Sequence, residues 1–113
     1  METFDVIVIG AGSAGVSAAL RAASQGARVC IIEQDRIGGS CLHNGLYPIK
    51  FGRGLLKDNK SDFSVNGVIN VKKLFLTITE TMEILSHRWE QKLIESGVTI
   101  KTGIGLPLSS ALV

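Results

Sequence analysis

The run Phe4-Asp5-Val6-Ile7-Val8-Ile9-Gly10, followed at once by Ala11-Gly12-Ser13-Ala14-Gly15, constrains this chain more than any other stretch. A nearly continuous β-branched run ended by glycine reads as a strand buried on both faces of a parallel sheet. The glycines then keep the spacing G-x-G-x-x-G of a strand–turn–helix joint. Gly10 permits the tight turn, Gly12 lets backbone approach a pyrophosphate, and Gly15 lets helix and strand pack closely. From Ser13 to Gln25 small and apolar residues (Ala14, Ala18, Ala19, Leu20, Ala22, Ala23) suit a helix lying close on a sheet, with Gly26 as its C-terminal cap. A second apolar run, Arg28 to Glu33, completes a βαβ unit whose crossover is expected to be right-handed. Glu33 stands 18 residues after Gly15, where a carboxylate can accept hydrogen bonds from a ribose hydroxyl. The plainer alternative is a turn that only joins strand to helix, and the full context of strand, helix and acidic residue weighs against it.

Length allows one domain with one core in 113 residues, and 45% apolar content, 19% charged content and thirteen glycines fit a soluble α/β protein. The net charge of +2 comes from scattered basic residues with no stripe interleaved with aromatics, which argues against a nucleic-acid partner. The apolar opening carries Glu2 and Asp5 and lacks a basic leader, so it reads as neither signal peptide nor membrane span, and a cytoplasmic chain is expected. Cys30 sits in an apolar run and Cys41 in a glycine-rich loop; two such cysteines form no disulfide framework and no zinc spacing, so no metal is expected.

Further along, Tyr47 to Lys57 reads as a weakly specified helix, because Gly52 and Gly54 each cost roughly 1 kcal/mol relative to alanine in a helix interior. Residues 58–67 are polar and turn-rich and read as a surface loop. Asn70 caps a strong amphipathic pattern, Leu74, Ile78, Met82, Leu85, Trp89 and Leu93, that Gly97 stops. Residues 97–105 read as a short third strand, and 106–113 as a tail with no closing element.

Residues 4 to 50 together resemble the pyridine nucleotide-disulfide oxidoreductases, the family that includes dihydrolipoamide dehydrogenase. The resemblance rests on "DVIVIGAGSAG", the glutamate ending the second strand, and "GGSC" with "GLYPIK". It extends less strictly to the long helix and to "TGIG". It implies an α/β fold: a Rossmann-like FAD-binding region with a parallel sheet core, of which residues 1–113 are the N-terminal part, either of a longer enzyme or of a truncated relative. The implied cofactor is FAD, with NAD(P) bound only through domains that this chain lacks. By the same resemblance Gly10, Gly12, Ser13, Ala14 and Gly15 present backbone to the pyrophosphate, Glu33 holds the adenosine ribose and Gln34 borders the adenine. Gly38, Gly39, Ser40 and Cys41 run beside the flavin, Lys50 approaches its reactive edge, and Gly105 touches the adenine side.

Cys41 matches the first cysteine of the family's redox loop, G-G-[TS]-C-x-x-x-G-C-x-P-x-K, and is the catalytic candidate. Leu46 stands where the second cysteine belongs, and Cys30 belongs to the strand core, so dithiol cycling through this loop is expected to be absent. The soluble pyridine nucleotide transhydrogenases also lack the second cysteine. His43 and His87 read as ordinary polar positions. The implied function is hydride movement between a nicotinamide cofactor and FAD, in cell redox homeostasis, with a homodimer expected for the full-length family. The alternatives are a transhydrogenase-type enzyme without a redox disulfide, and a non-catalytic nucleotide-binding module or relic.

Overall fold

A computed structural model describes residues 1–109 and 112–113; the middle of the C-terminal tail therefore lies outside the described residues. The chain begins with a βαβ unit: β1 (Val6–Ile9), α1 (Ser13–Ser24) and β2 (Val29–Glu33). Two helices follow, α2 (Gly39–His43) and α3 (Leu46–Asp58), then a 3-10 turn (Lys60–Phe63) and a hairpin of β3 (Ser64–Val65) and β4 (Val68–Ile69). The long α4 (Val71–Glu95) leads into β5 (Thr99–Thr102). Three strands form a parallel sheet in the order β1-β2-β5.

The register sets Val8, Ile31 and Ile100 in one row, and Ile9, Ile32 and Lys101 in the next. Because side chains alternate along a strand, these rows face opposite sides of the sheet. The first joins Val16 and Ala19 of α1 and Leu93 of α4 in a core that also holds Val29, Ile37 and Val98. On the second side, Ile7, Cys30, Ile32 and Lys101 share a hollow with Met1–Phe4, Leu112 and Val113.

Burial of β1 on both faces, expected from its β-branched run, is not observed: Val6, Ile7 and Ile9 are 36%, 37% and 49% exposed. The sheet order supplies the reason. Among the described residues β1 is an edge strand with β2 on one side only, and α1 and α4 share a single core on one face. The radius of gyration, 17.8 Å, exceeds the about 13 Å of a closed domain of this size, and the longest axis measures 61 Å.

Glycines shape the joints. A Cβ on Gly15 would overlap the Gly10 carbonyl oxygen, so α1 can approach β1 only with glycine there. After α1, Gly26 adopts φ +85° and ends the helix as its position predicts. In α3, Gly52 is buried and its Cβ position lies 2.8 Å from Ile78 Cδ1, so the residue that weakens the helix locally is where α3 meets α4. The stretch read as a surface loop, residues 58–67, contains the 3-10 turn, β3 and the turn of the β3–β4 hairpin, whose second strand lies just beyond it. Asn66 at φ +51° and Gly67 at φ +79° make the left-handed two-residue turn that such hairpins use. Asn70 caps α4 as expected, its side chain accepting the Lys73 N–H at 3.0 Å, while Met82 and Leu93 are buried and Trp89 packs against the core and edge-on to Tyr47.

Two glycine substitutions separate packing from propensity. Gly15→Ala forces helix and strand apart and is expected to destabilise the chain by about 3 kcal/mol, the upper range for overpacking. Gly54→Ala, with nothing within 4 Å of the added carbon, is expected to stabilise by about 0.5 to 1 kcal/mol. Urea unfolding monitored by circular dichroism measures both, and equal effects would contradict the packing account.

Candidate functional site

Three turns converge at the C-terminal ends of the parallel strands, the place where open α/β sheets carry ligands. The first is the glycine turn after β1. Gly10 adopts φ +94°, its N–H donates to the Ile32 carbonyl at 2.7 Å, and Gly12 leads into α1 without any side-chain cap. The first backbone bond of the helix runs from Val16 N–H to Gly12 O. Gly12 and Gly38 form a parallel bridge at this point, which engages the Ser13 amide; the Ala14 amide has no hydrogen-bond acceptor among the described residues, and the first turn contains no acidic side chain. Free N–H groups at a helix start, with its partial positive charge, favour an anion.

The second turn follows β2. Both oxygens of the Glu33 carboxylate accept backbone N–H groups, Oε2 from Ala11 at 2.6 Å and Oε1 from Asp35 at 2.9 Å. Sequence reasoning assigned Glu33 to a ribose alone; it also ties β2 to the glycine turn, and each oxygen retains a lone pair for a ligand. Beyond it, Gly38 and Gly39 adopt φ +105° and +57°, and the Gly38 N–H donates to the Ala11 carbonyl at 2.7 Å. A Cβ on Gly39 would lie 3.1 Å from the Gly12 Cα, so the two glycine turns meet backbone to backbone. The third turn follows β5: the Gly103 N–H donates to the Glu33 carbonyl at 2.8 Å, and Gly105 lies over Ile9 and Ile32.

These turns bound a cleft of about 390 Å³ lined by Ile9, Gly10, Gly12, Ile32, Glu33, Gln34, Gly39, Ser40 and Gly103 to Gly105. Of the residues singled out in the sequence it gathers Gly10, Gly12, Glu33, Gln34, Gly39, Ser40 and Gly105. Ser13 and Ala14 are exposed in the first turn of α1, Gly15 lies beneath at the β1 contact, and Gly38 is buried behind Gly39. Cys41 is half-buried in α2, outside the lining. Lys50 lies on α3 in a separate shallow depression with Arg53, Gly54 and Lys57. Leu46, at the position without a second cysteine, opens α3 and is 53% exposed. A larger hollow of about 560 Å³ between α3 and α4 is lined by His43 and Arg53 among others, but by none of the residues assigned to the cofactor.

Sequence reasoning missed Ala11, whose backbone joins Glu33 on one side and Gly38 on the other, and the contribution of Gly103. The x of a G-x-G motif carries no side-chain signal, so Ala11 was not legible. Both cysteines are free. Burial pushes the Cys30 thiol up from its ordinary value, with Lys101 opposing and Glu2 adding to the effect. Among the described residues no three His, Cys, Asp or Glu side chains cluster as a metal site would require, and no helix is long and apolar enough to cross a membrane.

The profile of the FAD dependent oxidoreductases matches residues 5–92. A soluble pyridine nucleotide transhydrogenase of Chromohalobacter salexigens is 50% identical over 58 residues, covering 50% of this chain and 12% of the relative. A dihydrolipoyl dehydrogenase of Bacillus subtilis is 43% identical over 47 residues, covering 42% of this chain and 10% of the relative. In three dimensions the chain is similar to LpdA from Mycobacterium tuberculosis, with a TM-score of 0.72 at 26% identity over 93% of this chain and 25% of that one. The chain thus spans between a tenth and a quarter of the length of these proteins.

The two thiols are expected to differ. Cys30 is 2% exposed in the central strand, whereas Cys41 is half-buried on a short helix. Thiol titration of the native chain with an aromatic disulfide reagent should find one fast and one slow group, with Cys41 the fast one by peptide mapping. Equal rates, or Cys30 reacting first, would contradict the placement.

Proposed function

The chain belongs to the FAD dependent oxidoreductases, and within them to the pyridine nucleotide-disulfide type, and on that premise we propose that it forms the FAD-binding part of an enzyme moving hydride between a nicotinamide cofactor and FAD. The observation that carries this reading is the meeting of the two glycine turns beneath an uncapped α1. At Gly39, which lines the cleft, a side chain would crowd Gly12, the two turns are joined by the parallel Gly12–Gly38 bridge, and the anion-favouring amide of Ala14 has no acceptor among the described residues. A dinucleotide pyrophosphate fits such a cradle, and the donor set contains no competing acid in the first turn.

Bound FAD supplies a carrier that takes two electrons as hydride from a nicotinamide. The residues of this chain bind and orient it. Gly12, Ser13 and Ala14 offer backbone to the phosphates, Glu33 accepts from the ribose hydroxyls with its remaining lone pairs, and Gln34 and Gly105 border the adenine. Gly38, Gly39, Ser40 and Cys41 form the loop assigned to the flavin side. Lys50, exposed on α3, is the cation assigned to balance negative charge on the reduced ring. NAD(P) binding belongs to parts of the relatives outside the matched region, and a cytoplasmic homodimer in cell redox homeostasis is the proposed setting of the longer enzyme.

Leu46 favours a second reading. With a leucine opening α3 and both cysteines free, the loop has no partner for a Cys41 disulfide, which suits a transhydrogenase-type enzyme that passes hydride through FAD without dithiol exchange.

Titration calorimetry tests the cofactor. FAD is expected to bind more tightly than NAD⁺ or NADP⁺, and preference for NAD⁺ would remove the assignment. Glu33→Ala takes away charged acceptors each worth roughly 1.5 to 3 kcal/mol, so FAD affinity should fall at least tenfold. An unchanged dissociation constant in a folded variant would show that the carboxylate takes no part.

A further inference from the structure

We propose that Ser86 and His43 are positioning residues for this cleft: together they fix the carbonyl of Ile37, and through it the left-handed Gly38–Gly39 turn that forms one wall. The proposal deepens the reading of the cleft as the FAD site and rests on it for its link to the cofactor.

One peptide group is held from both ends. The Ile37 carbonyl accepts the Ser86 hydroxyl at 2.6 Å and lies 2.9 Å from His43 Nε2, while the N–H of Gly38, in the same peptide unit, donates to Ala11 O at 2.7 Å. A carbonyl only accepts, so the His43 proton in this contact lies on Nε2. The His43 ring is 3% exposed, and water has little access to compete for the bond. Fixing this peptide sets the two positive-φ glycines that follow, and with them the contact of Gly39 on Gly12.

Ser86 departs from the habit of its own helix. Thr77, Thr79 and Thr81 turn their hydroxyls back to the carbonyls of Lys73, Phe75 and Thr77, the ordinary bond for a short hydroxyl inside a helix. The Ser86 hydroxyl instead reaches across 49 residues of sequence to the Ile37 carbonyl. A turn earlier on α4, Glu83 pairs with Arg36 at 2.9 Å; both side chains are half exposed, so this second tether contributes little. The helix that closes the core thus also sets the wall of the cleft.

Amide hydrogen exchange on the 113-residue chain tests the clamp independently of the cofactor. In Ser86→Ala the Gly38 amide is expected to exchange at least tenfold faster while that of Ile31, in the central strand, stays within twofold. FAD affinity should fall three- to tenfold, and Ser86→Thr, which keeps the hydroxyl, should restore both. Unchanged exchange at Gly38, or a rise matched at Ile31, would overturn the proposal, the second because it reports general loss of stability. If the wild-type chain binds no FAD, the cofactor reading fails on its own, and exchange at Gly38 still decides the clamp.

Discussion

The Glu33 carboxylate holds the end of β2 to the glycine turn after β1, with Ala11 N–H donating to Oε2 at 2.6 Å and Asp35 N–H to Oε1 at 2.9 Å. Ala11 is fully buried, so without this acceptor its N–H would face the desolvation penalty of an unpaired backbone donor, about 1 to 3 kcal/mol. The same residue's carbonyl takes the Gly38 N–H, and the Glu33 carbonyl takes that of Gly103. Three chain segments far apart in sequence therefore meet through a few backbone groups around one charged side chain. The rest of the cleft follows from where those groups must lie.

Packing supports that arrangement from one side. The core formed by Val16, Ala19, Val29, Ile31, Leu93 and Val98 holds α1 and α4 against one face of the sheet. This orients the N-terminus of α1 toward the strand ends, where its uncapped amides stand beside Gly39 and Ser40. α3 contributes through its glycine: close approach at Gly52 seats it on α4, and α2 lies between α3 and the glycine turn.

How much of this was legible depends on whether a signal resided in side chains or in backbone. The role of Gly15 followed from its spacing after Gly10, and the α4 cap from Asn70, because both are local rules with one geometric solution. The exposure of β1 did not follow from Val6 to Ile9, since a β-branched run states that a strand can be buried but not which neighbours cover it. The Asn66–Gly67 turn carried its own hairpin signal between two valines, yet it was outweighed by the polar residues around it. Gly52 was counted against its helix, because propensity describes an isolated helix and the compensating contact with Ile78 comes from 26 residues away. The Ile37 carbonyl had no signal at all: any residue offers that acceptor, and only the fold selects which one is used.

The central claim is that the meeting point of the two glycine turns is where the dinucleotide lies. Backbone amide chemical shifts of the isotopically labelled chain, followed as FAD is added, test it most directly. The account predicts that the largest changes fall on Gly12, Ser13, Ala14, Gly39 and Ser40, with smaller ones at Gln34 and Gly105 and none along the outer turns of α4. Changes centred instead on the hollow between α3 and α4, around Ile49, Ile78 and Met82, with the glycine turns undisturbed, would contradict it.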